Sequence, residues 1–329
     1  MTAIRTETIE RLDRIPNLAV SPGALLSHHT RFGIGGPAGV YAEAGSEASF
    51  IEVLKLAQET GTACAVIGDG TNLIVSDRGF PGIVLRLVTR EIARDGIRVG
   101  AEAGVELQTL VDYSISGGLR GLETMTGIPG SVGAAVYGNA GAYGHSIDER
   151  VREVRFFDGT AVRAIGPADC QFRYRESIFK QRKDWIIFSV ALRLDPAPPE
   201  DLRKSANEIL KIRREKYPPA MKCAGSIFKN LILAELPETV REQVPERVVR
   251  EGKAPSAYFL EQVGAKGMRL GGIQVADYHA NLIYNTGDGT ARELHLLIGE
   301  LKSRVRKRFG LELEEEVQYV GFSENGRSG

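Results

Sequence analysis

Three polar residues stand in apolar or glycine-rich surroundings where a reaction can use them. They are Ser226 in CAGSIFKN, Arg175 in RYRES and Glu316 just before VQYV. A serine after glycine is the nucleophile of some hydrolases. Here GxSxG fails, because position 228 is Phe, and no Ser/His/Asp set is presented. A hydroxyl can instead give a proton to a carbanion-like centre, while an arginine and a carboxylic acid stabilise the adjoining enolate. Taken singly, each residue also has a structural reading: Arg175 in an ion pair, Ser226 in a turn or cap, Glu316 at a solvated strand end.

Two other stretches offer backbone rather than side chains. Gly121 to Gly144, GLETMTGIPGSVGAAVYGNAGAYG, holds seven glycines in 24 residues and one formal charge, Glu123. Glycine permits close backbone approach and leaves N–H groups free to face an anion. The competing reading is a chain of tight turns between strands. The loop GDGTN, Gly68 to Asn72, lies between two apolar runs. It is not a dinucleotide fingerprint, because position 73 is Leu and a short strand, not a helix, follows. It is read either as a phosphate-facing loop or as an ordinary hairpin loop.

The elements that position these residues follow from periodicity and punctuation. Residues 5–14 read as a short charged helix, and TRFGIGGP leads into a strand at 40–44. Ser46 caps a helix to residue 59 with Phe50, Val53, Leu54 and Ala57 on one face, ended by Gly61. Strands are expected at 63–67, 82–87 and 97–103. A helix at 105–117 carries Leu107, Leu110, Val111 and Ile115 on one side. Strands at 151–157 and 160–164 flank an Asp158-Gly159 turn, and another strand spans 186–194. PAPPE at 196–200 reads as a boundary. The helix at 200–216 places Leu202, Ala206, Ile209, Leu210 and Arg213 on one face. Residues 237–255 read as a charged, solvated surface insertion. A short helix at 256–263, strands in GGIQVA and NLIYN, a long helix at 290–309 and a final strand at 316–320 complete the chain. The basic last turn of the long helix, Arg304 to Arg308, reads as a solvated face that complements the helix dipole. The order is not a regular βαβ alternation, so the class is α+β.

Composition sets the limits. The 329 residues are 43% hydrophobic and 26% charged, as in a soluble globular protein of two or three domains. Lys+Arg and Asp+Glu are both 42, which gives no global argument for nucleic acid or an acidic membrane. No apolar run reaches membrane-span length, and the charged N-terminus has no secretory h-region. Cys64, Cys170 and Cys223 are odd in number and far apart, which fits a reducing, cytoplasmic compartment. No metal-ligand spacing appears, so no metal is expected. Cys223, three residues before Ser226, is read as structural.

Seven pieces in order resemble one family: TRFGIGGPA, GDGTNLIVSDRGFPGIV, the glycine-rich stretch, CQFRYRESIFK, AGSIFKN, GGIQVADYHANLIYN and LELEEEVQYVG. From about Thr30 to Gly321 the chain is similar to the UDP-N-acetylenolpyruvoylglucosamine reductases, flavoenzymes also called UDP-N-acetylmuramate dehydrogenases. The resemblance implies a vanillyl-alcohol-oxidase (PCMH)-type FAD fold of two α+β subdomains, with a C-terminal α+β domain over the substrate. It implies an N-terminal extension at 1–25, FAD subdomains at 26–88 and 89–197, a substrate domain at 198–315, and a closing strand at 316–329 that returns Glu316.

Under the same resemblance FAD is held non-covalently by Gly68, Asp69, Gly70, Thr71, Asn72 and Leu73, by Thr126, Gly127, Ile128, Pro129, Gly130, Ser131, Gly133 and Ala134, and by Asn139, Ala140, Gly141, Ala142 and Tyr143. NADPH gives a hydride to the flavin and leaves, and the enolpyruvyl ether of UDP-N-acetylglucosamine then takes that hydride at C3. The residue matching the family's acid, Ser226, protonates C2, and Arg175 and Glu316 stabilise the enol-type intermediate. Asn230, Tyr174 and Lys229 are the implied substrate contacts, and no obligate protein partner follows. Leu231 stands where the family usually has proline, and Gly138 where methionine is common. Arg175 and Ser226 are 226 − 175 = 51 positions apart, which fits the shorter branch, type II. Two other readings stay open: an oxidase of another small molecule on the same fold, and a flavin-binding scaffold without turnover.

Overall fold

The computed structural model describes residues 4–322. The chain forms two compact units, each assembled from three segments. The first takes the chain up to Ala24, then Gly39–Asp69 and Pro81–Pro218. The second takes Leu25–Ala38, Gly70–Phe80 and the chain from Pro219 onward.

In the first unit a four-stranded sheet has the spatial order Leu18–Pro22, Ala38–Ala44, Phe80–Leu87, Cys64–Ile67. Cys64–Ile67 runs parallel to Phe80–Leu87, and Leu18–Pro22 antiparallel to Ala38–Ala44. The helix Glu47–Thr60 starts as its sequence dictates. Ser46 Oγ accepts from the Ser49 N–H at 3.1 Å and Ser49 Oγ accepts from the Ser46 N–H at 3.2 Å, a reciprocal cap. Phe50, Val53 and Ala57 are buried, and Gly61 closes the helix at φ +63°.

A five-stranded antiparallel sheet follows, in the order Val162–Ile165, Val151–Phe157, Ile186–Arg193, Arg98–Glu102, Ile92–Asp95. All four predicted apolar residues of the helix Leu107–Ser116 are buried. The helix Pro199–Lys216 buries Leu202 and Ala206 in the same core, whereas Ile209, Leu210 and Arg213 are only half-buried. The first unit thus runs through this helix to Pro218. PAPPE is an internal turn of it, with Asp195–Pro196 paired to Leu119–Arg120.

The glycine-rich stretch is not turns alone. It contains the helix Val132–Tyr137, whose Val132, Ala135 and Val136 are buried. Gly133 within it sits where a Cβ would come 2.8 Å from the Ala103 Cβ, so this helix packs too closely for a larger residue.

The second unit has a three-stranded antiparallel sheet, Arg269–Leu270, Ile273–Val275, Ile283–Asn285, and a parallel pair, Leu73–Val75 with Gln318–Val320. The closing strand begins at Gln318, two residues later than expected. The helix Ala291–Phe309 has the Thr290/Glu293 capping box. Asp77 adds two acceptors, for the Ala291 N–H at 2.8 Å and the Arg292 N–H at 3.0 Å. Residues 237–255 are less solvated than their charge predicts. Val240, Val244 and Ala254 are buried, and with Leu236 just before the stretch the first two continue an apolar spacing of four. The architecture is α+β, as expected.

Candidate active site

In the first unit the two expected cofactor loops meet. A Cβ on Gly68 would lie 3.0 Å from Ser131 Oγ and 3.4 Å from the Ala134 Cβ. Glycine at 68 therefore lets the loop close onto the start of the helix Val132–Tyr137. Asp69 pairs with Arg86, which also reaches Glu43 at 3.2 Å, and the Tyr41 hydroxyl donates to Glu43 at 3.0 Å. Burial pushes the Tyr41 hydroxyl up to about 12. This cluster was not legible in the sequence, because its members come from three separate strands and loops.

Thr126, 3% exposed, has a hydroxyl with no hydrogen-bond partner among the described residues. A buried hydroxyl is seldom left unpaired. An orphan within the glycine-rich stretch fits a bound group that completes it. Gly127 is close-packed as well: a Cβ there would come 3.1 Å from Leu210 and 3.3 Å from Arg213. Sequence reasoning singled out Arg213 only as part of a helix face.

Arg175 is docked onto the same stretch. Its guanidinium donates to the Gly141 carbonyl at 2.8 Å and the Asn139 carbonyl at 3.4 Å, and lies 5.2 Å from the Tyr174 ring centroid. These carbonyls help to fix its position. The backbone around it is held in return. Asn139 Nδ2 donates to the Arg173 carbonyl at 3.0 Å, Ser177 Oγ to the Tyr137 carbonyl at 2.6 Å and Lys180 Nζ to the Arg175 carbonyl at 2.8 Å. Of the expected cofactor residues, Asn139 thus uses its side chain on the protein, also accepting from the Asp148 N–H at 3.3 Å.

In the second unit Ser226 and Glu316 come from segments that share hydrogen bonds. The Glu316 N–H donates to the Ile227 carbonyl at 2.8 Å, and the Lys229 N–H to the Glu314 carbonyl at 2.9 Å. Asn72 of the GDGTN loop straddles the same segment. Its Nδ2 donates to the Glu316 carbonyl at 2.9 Å, and its own carbonyl accepts from the Gln318 N–H at 2.9 Å. Asn72 therefore has a placing role for Glu316 that its sequence context did not disclose. Lys229 is buried and paired with Glu314, and Asn230 Oδ1 accepts from the Ser256 N–H at 3.3 Å. Tyr174, by contrast, belongs with Arg175 in the first unit.

Cys64 is partly buried, and Cys170 and Cys223 are buried. Burial pushes Cys64 and Cys170 up to about 12, so neither is a thiolate near neutrality. Cys223 is fully buried. Among the described residues no group of three or more His, Cys, Asp or Glu is placed to hold a metal ion. Among them, too, no helix is long and apolar enough to cross a membrane.

Comparison with known proteins bears on both units. Residues 38–163 match the family described as FAD binding domain, and residues 217–320 match UDP-N-acetylenolpyruvoylglucosamine reductase, C-terminal domain. A UDP-N-acetylenolpyruvoylglucosamine reductase from Solibacter usitatus is 63% identical over 311 residues, 94% of this chain and 100% of its own. One from Rubrobacter xylanophilus is 38% identical over 90% of this chain and 93% of its own. The crystal structure of the Thermus caldophilus reductase superposes with a TM-score of 0.72 at 29% identity, covering 92% of this chain and 99% of that one. The glycine loops and the orphan Thr126 hydroxyl lie inside the segment matched as FAD-binding, and FAD is the cofactor. With relatives this similar over nearly its whole length, the chain belongs to the UDP-N-acetylenolpyruvoylglucosamine reductase family, flavin-dependent oxidoreductases.

Proposed function

We propose that this chain reduces UDP-N-acetylglucosamine enolpyruvate to UDP-N-acetylmuramate with NADPH as electron donor, in the cytoplasm, for peptidoglycan precursor synthesis. The observation that carries the reading is the 2.8 Å bond from the Glu316 N–H to the Ile227 carbonyl, which ties two of the three reactive positions into one local structure. Bound FAD supplies the two-electron chemistry. Ser226 holds at Oγ the proton destined for C2 of the enolpyruvyl group. Arg175 contributes a permanent positive charge, and Glu316 a carboxyl group, to the enol-type centre at C2 and its carboxylate. Tyr174, Lys229 and Asn230 contact the substrate.

Gly68 to Leu73, Thr126 to Ala134 and Asn139 to Tyr143 hold the FAD non-covalently, since these loops contain neither His nor Cys. The positions between Arg175 and Ser226 are largely taken up by Ile178–Gln181, Ile186–Arg193 and Pro199–Lys216, which supports the shorter, type II branch.

The test separates the half-reactions. Ser226→Ala should still have its flavin reduced by NADPH. Its reoxidation by the enolpyruvyl substrate should fall by roughly 10²- to 10⁴-fold, the usual contribution of a positioned acid. Normal reoxidation in that variant would remove Ser226 from the acid role.

A further inference from the structure

The short segment from Ser226 to Lys229 is held from both sides. On one side the Glu316 N–H donates to the Ile227 carbonyl at 2.8 Å and the Lys229 N–H donates to the Glu314 carbonyl at 2.9 Å. On the other, Ser226 forms a β-bridge with Leu282, and the Ile227 N–H donates to the Asn281 carbonyl at 3.1 Å. The next residue, Phe228, is held by a side chain. Its N–H donates to Asn281 Oδ1 at 2.9 Å, and Asn281 Nδ2 donates to its carbonyl at 2.8 Å.

Asn281 is 2% exposed, and Ile227, Phe228 and Leu282 are at most 1% exposed. Water is therefore no substitute for these bonds. A carboxamide carries a donor and an acceptor side by side in one plane at any pH, so Asn281 does with its side chain what a strand does with its backbone. Its orientation is fixed by its partners, since the Phe228 N–H must face an oxygen.

We propose that Asn281 is a positioning residue for the reaction: it clamps Phe228 and thereby sets where the Ser226 hydroxyl stands. The inference rests on the reading of Ser226 as the proton donor. Proton transfer demands hydrogen-bond reach to the receiving carbon, and a misplacement of about 1 Å lowers such a step by roughly 10²-fold. The clamp acts on the one segment that carries Ser226 and also receives the Glu316 N–H. The electron transfer from NADPH makes no demand on that hydroxyl.

Asn281→Ala and Asn281→Asp, purified with FAD bound, are followed by stopped-flow absorbance, first with NADPH and then with UDP-N-acetylglucosamine enolpyruvate. Flavin reduction should stay within about twofold of wild type, while reoxidation slows by roughly tenfold or more. Aspartate keeps the acceptor for the Phe228 N–H and, when protonated, regains a donor for its carbonyl. Its reoxidation should therefore recover toward wild type as pH falls from about 9 to about 6, in the range where a buried carboxyl titrates. Glu314, Glu315, Glu316, Lys229 and His279 on the flanking segments are titratable in wild type as well, so the wild-type profile is the control.

Normal reoxidation in both Asn281 variants, beside a block in Ser226→Ala, overturns the clamp alone. Loss of bound flavin, or an equal fall in both half-reactions, overturns it in favour of general stabilisation. Normal reoxidation in Ser226→Ala overturns the donor assignment, and the clamp's purpose with it.

Discussion

Arg175, Asn139 and Tyr143 hold backbone φ of +58°, +42° and +54° although none is glycine. Such conformations cost on the order of 1–3 kcal/mol each and persist where surrounding bonds over-determine them. Here those bonds are the ones that dock Arg175 on the Gly141 carbonyl and hold Asn139 between Arg173 and Asp148. Asn139 and Tyr143 lie within residues 38–163, the segment matched as FAD-binding, and we propose that their strained backbone shapes the chain for the cofactor. Thr126 gives a sharper test of the same idea. Thr126→Val removes a buried, unpaired hydroxyl. In the apo protein it should leave the Tm unchanged or raise it, while flavin binding weakens by about 1 kcal/mol, roughly fivefold in Kd. Flavin fluorescence titration together with apo melting checks this, and an unchanged Kd would take the Thr126 hydroxyl out of the cofactor site. Ser226, Arg175 and Glu316 could be singled out because each falls in one of the seven motifs that resemble the family. Asn281, Arg86 and the orphan state of Thr126 were not legible, since each is defined by a partner remote in sequence and no local pattern encodes that partner.

At the level of elements, the GDGTN loop is held to a fixed path. Gly70 has φ +67°, and a Cβ there would fall 1.8 Å from the His29 carbonyl oxygen. Gly70→Ala must displace one of the two backbones. It should lower stability by about 2–4 kcal/mol and loosen flavin retention; a melting temperature within a degree or so of wild type would show that the loop yields freely. Asp77 supports the other end of this passage by accepting two N–H bonds at the start of Ala291–Phe309. Asp77→Ala should cost about 1 kcal/mol, as the loss of a helix cap does, readable in a urea midpoint at unchanged slope. The capped helices were legible because Ser46, Gly61, Thr290 and Gly310 announce their ends. The helix Val132–Tyr137 was hidden by Gly133 and its glycine-rich flanks, whose local propensity argues against any helix. The buried side of residues 237–255 was hidden by charge, which masks Val240 and Val244, a continuation of the spacing of four that starts at Leu236.

The molecule as a whole interleaves its two units along the chain. The contiguous stretch from Pro219 onward lacks three things that the second unit takes from earlier segments. The strand Gln318–Val320 pairs with Leu73–Val75, the long helix is capped by Asp77, and Asn285 Nδ2 donates to the Phe32 carbonyl at 3.0 Å. A fragment Pro219–Gly329 should therefore show no cooperative thermal transition by circular dichroism, whereas the intact chain does; a sharp melt in the fragment would overturn this. The sequence could not disclose the interleaving. Element periodicity reports what each segment buries, and the order of motifs reports their succession, but neither says which segments share a core. The bond from Asn72 to the Glu316 carbonyl spans 244 positions of sequence. At the usual pace of translation those positions take roughly 12–50 s to add. Throughout that interval in a growing chain, Asn72 lacks its partners at Glu316 and Gln318, and the Leu73–Val75 edge lacks the strand that pairs with it. The nascent protein must keep an apolar strand edge from pairing elsewhere, which makes this short segment the place where chaperone dependence and misassembly during synthesis should concentrate.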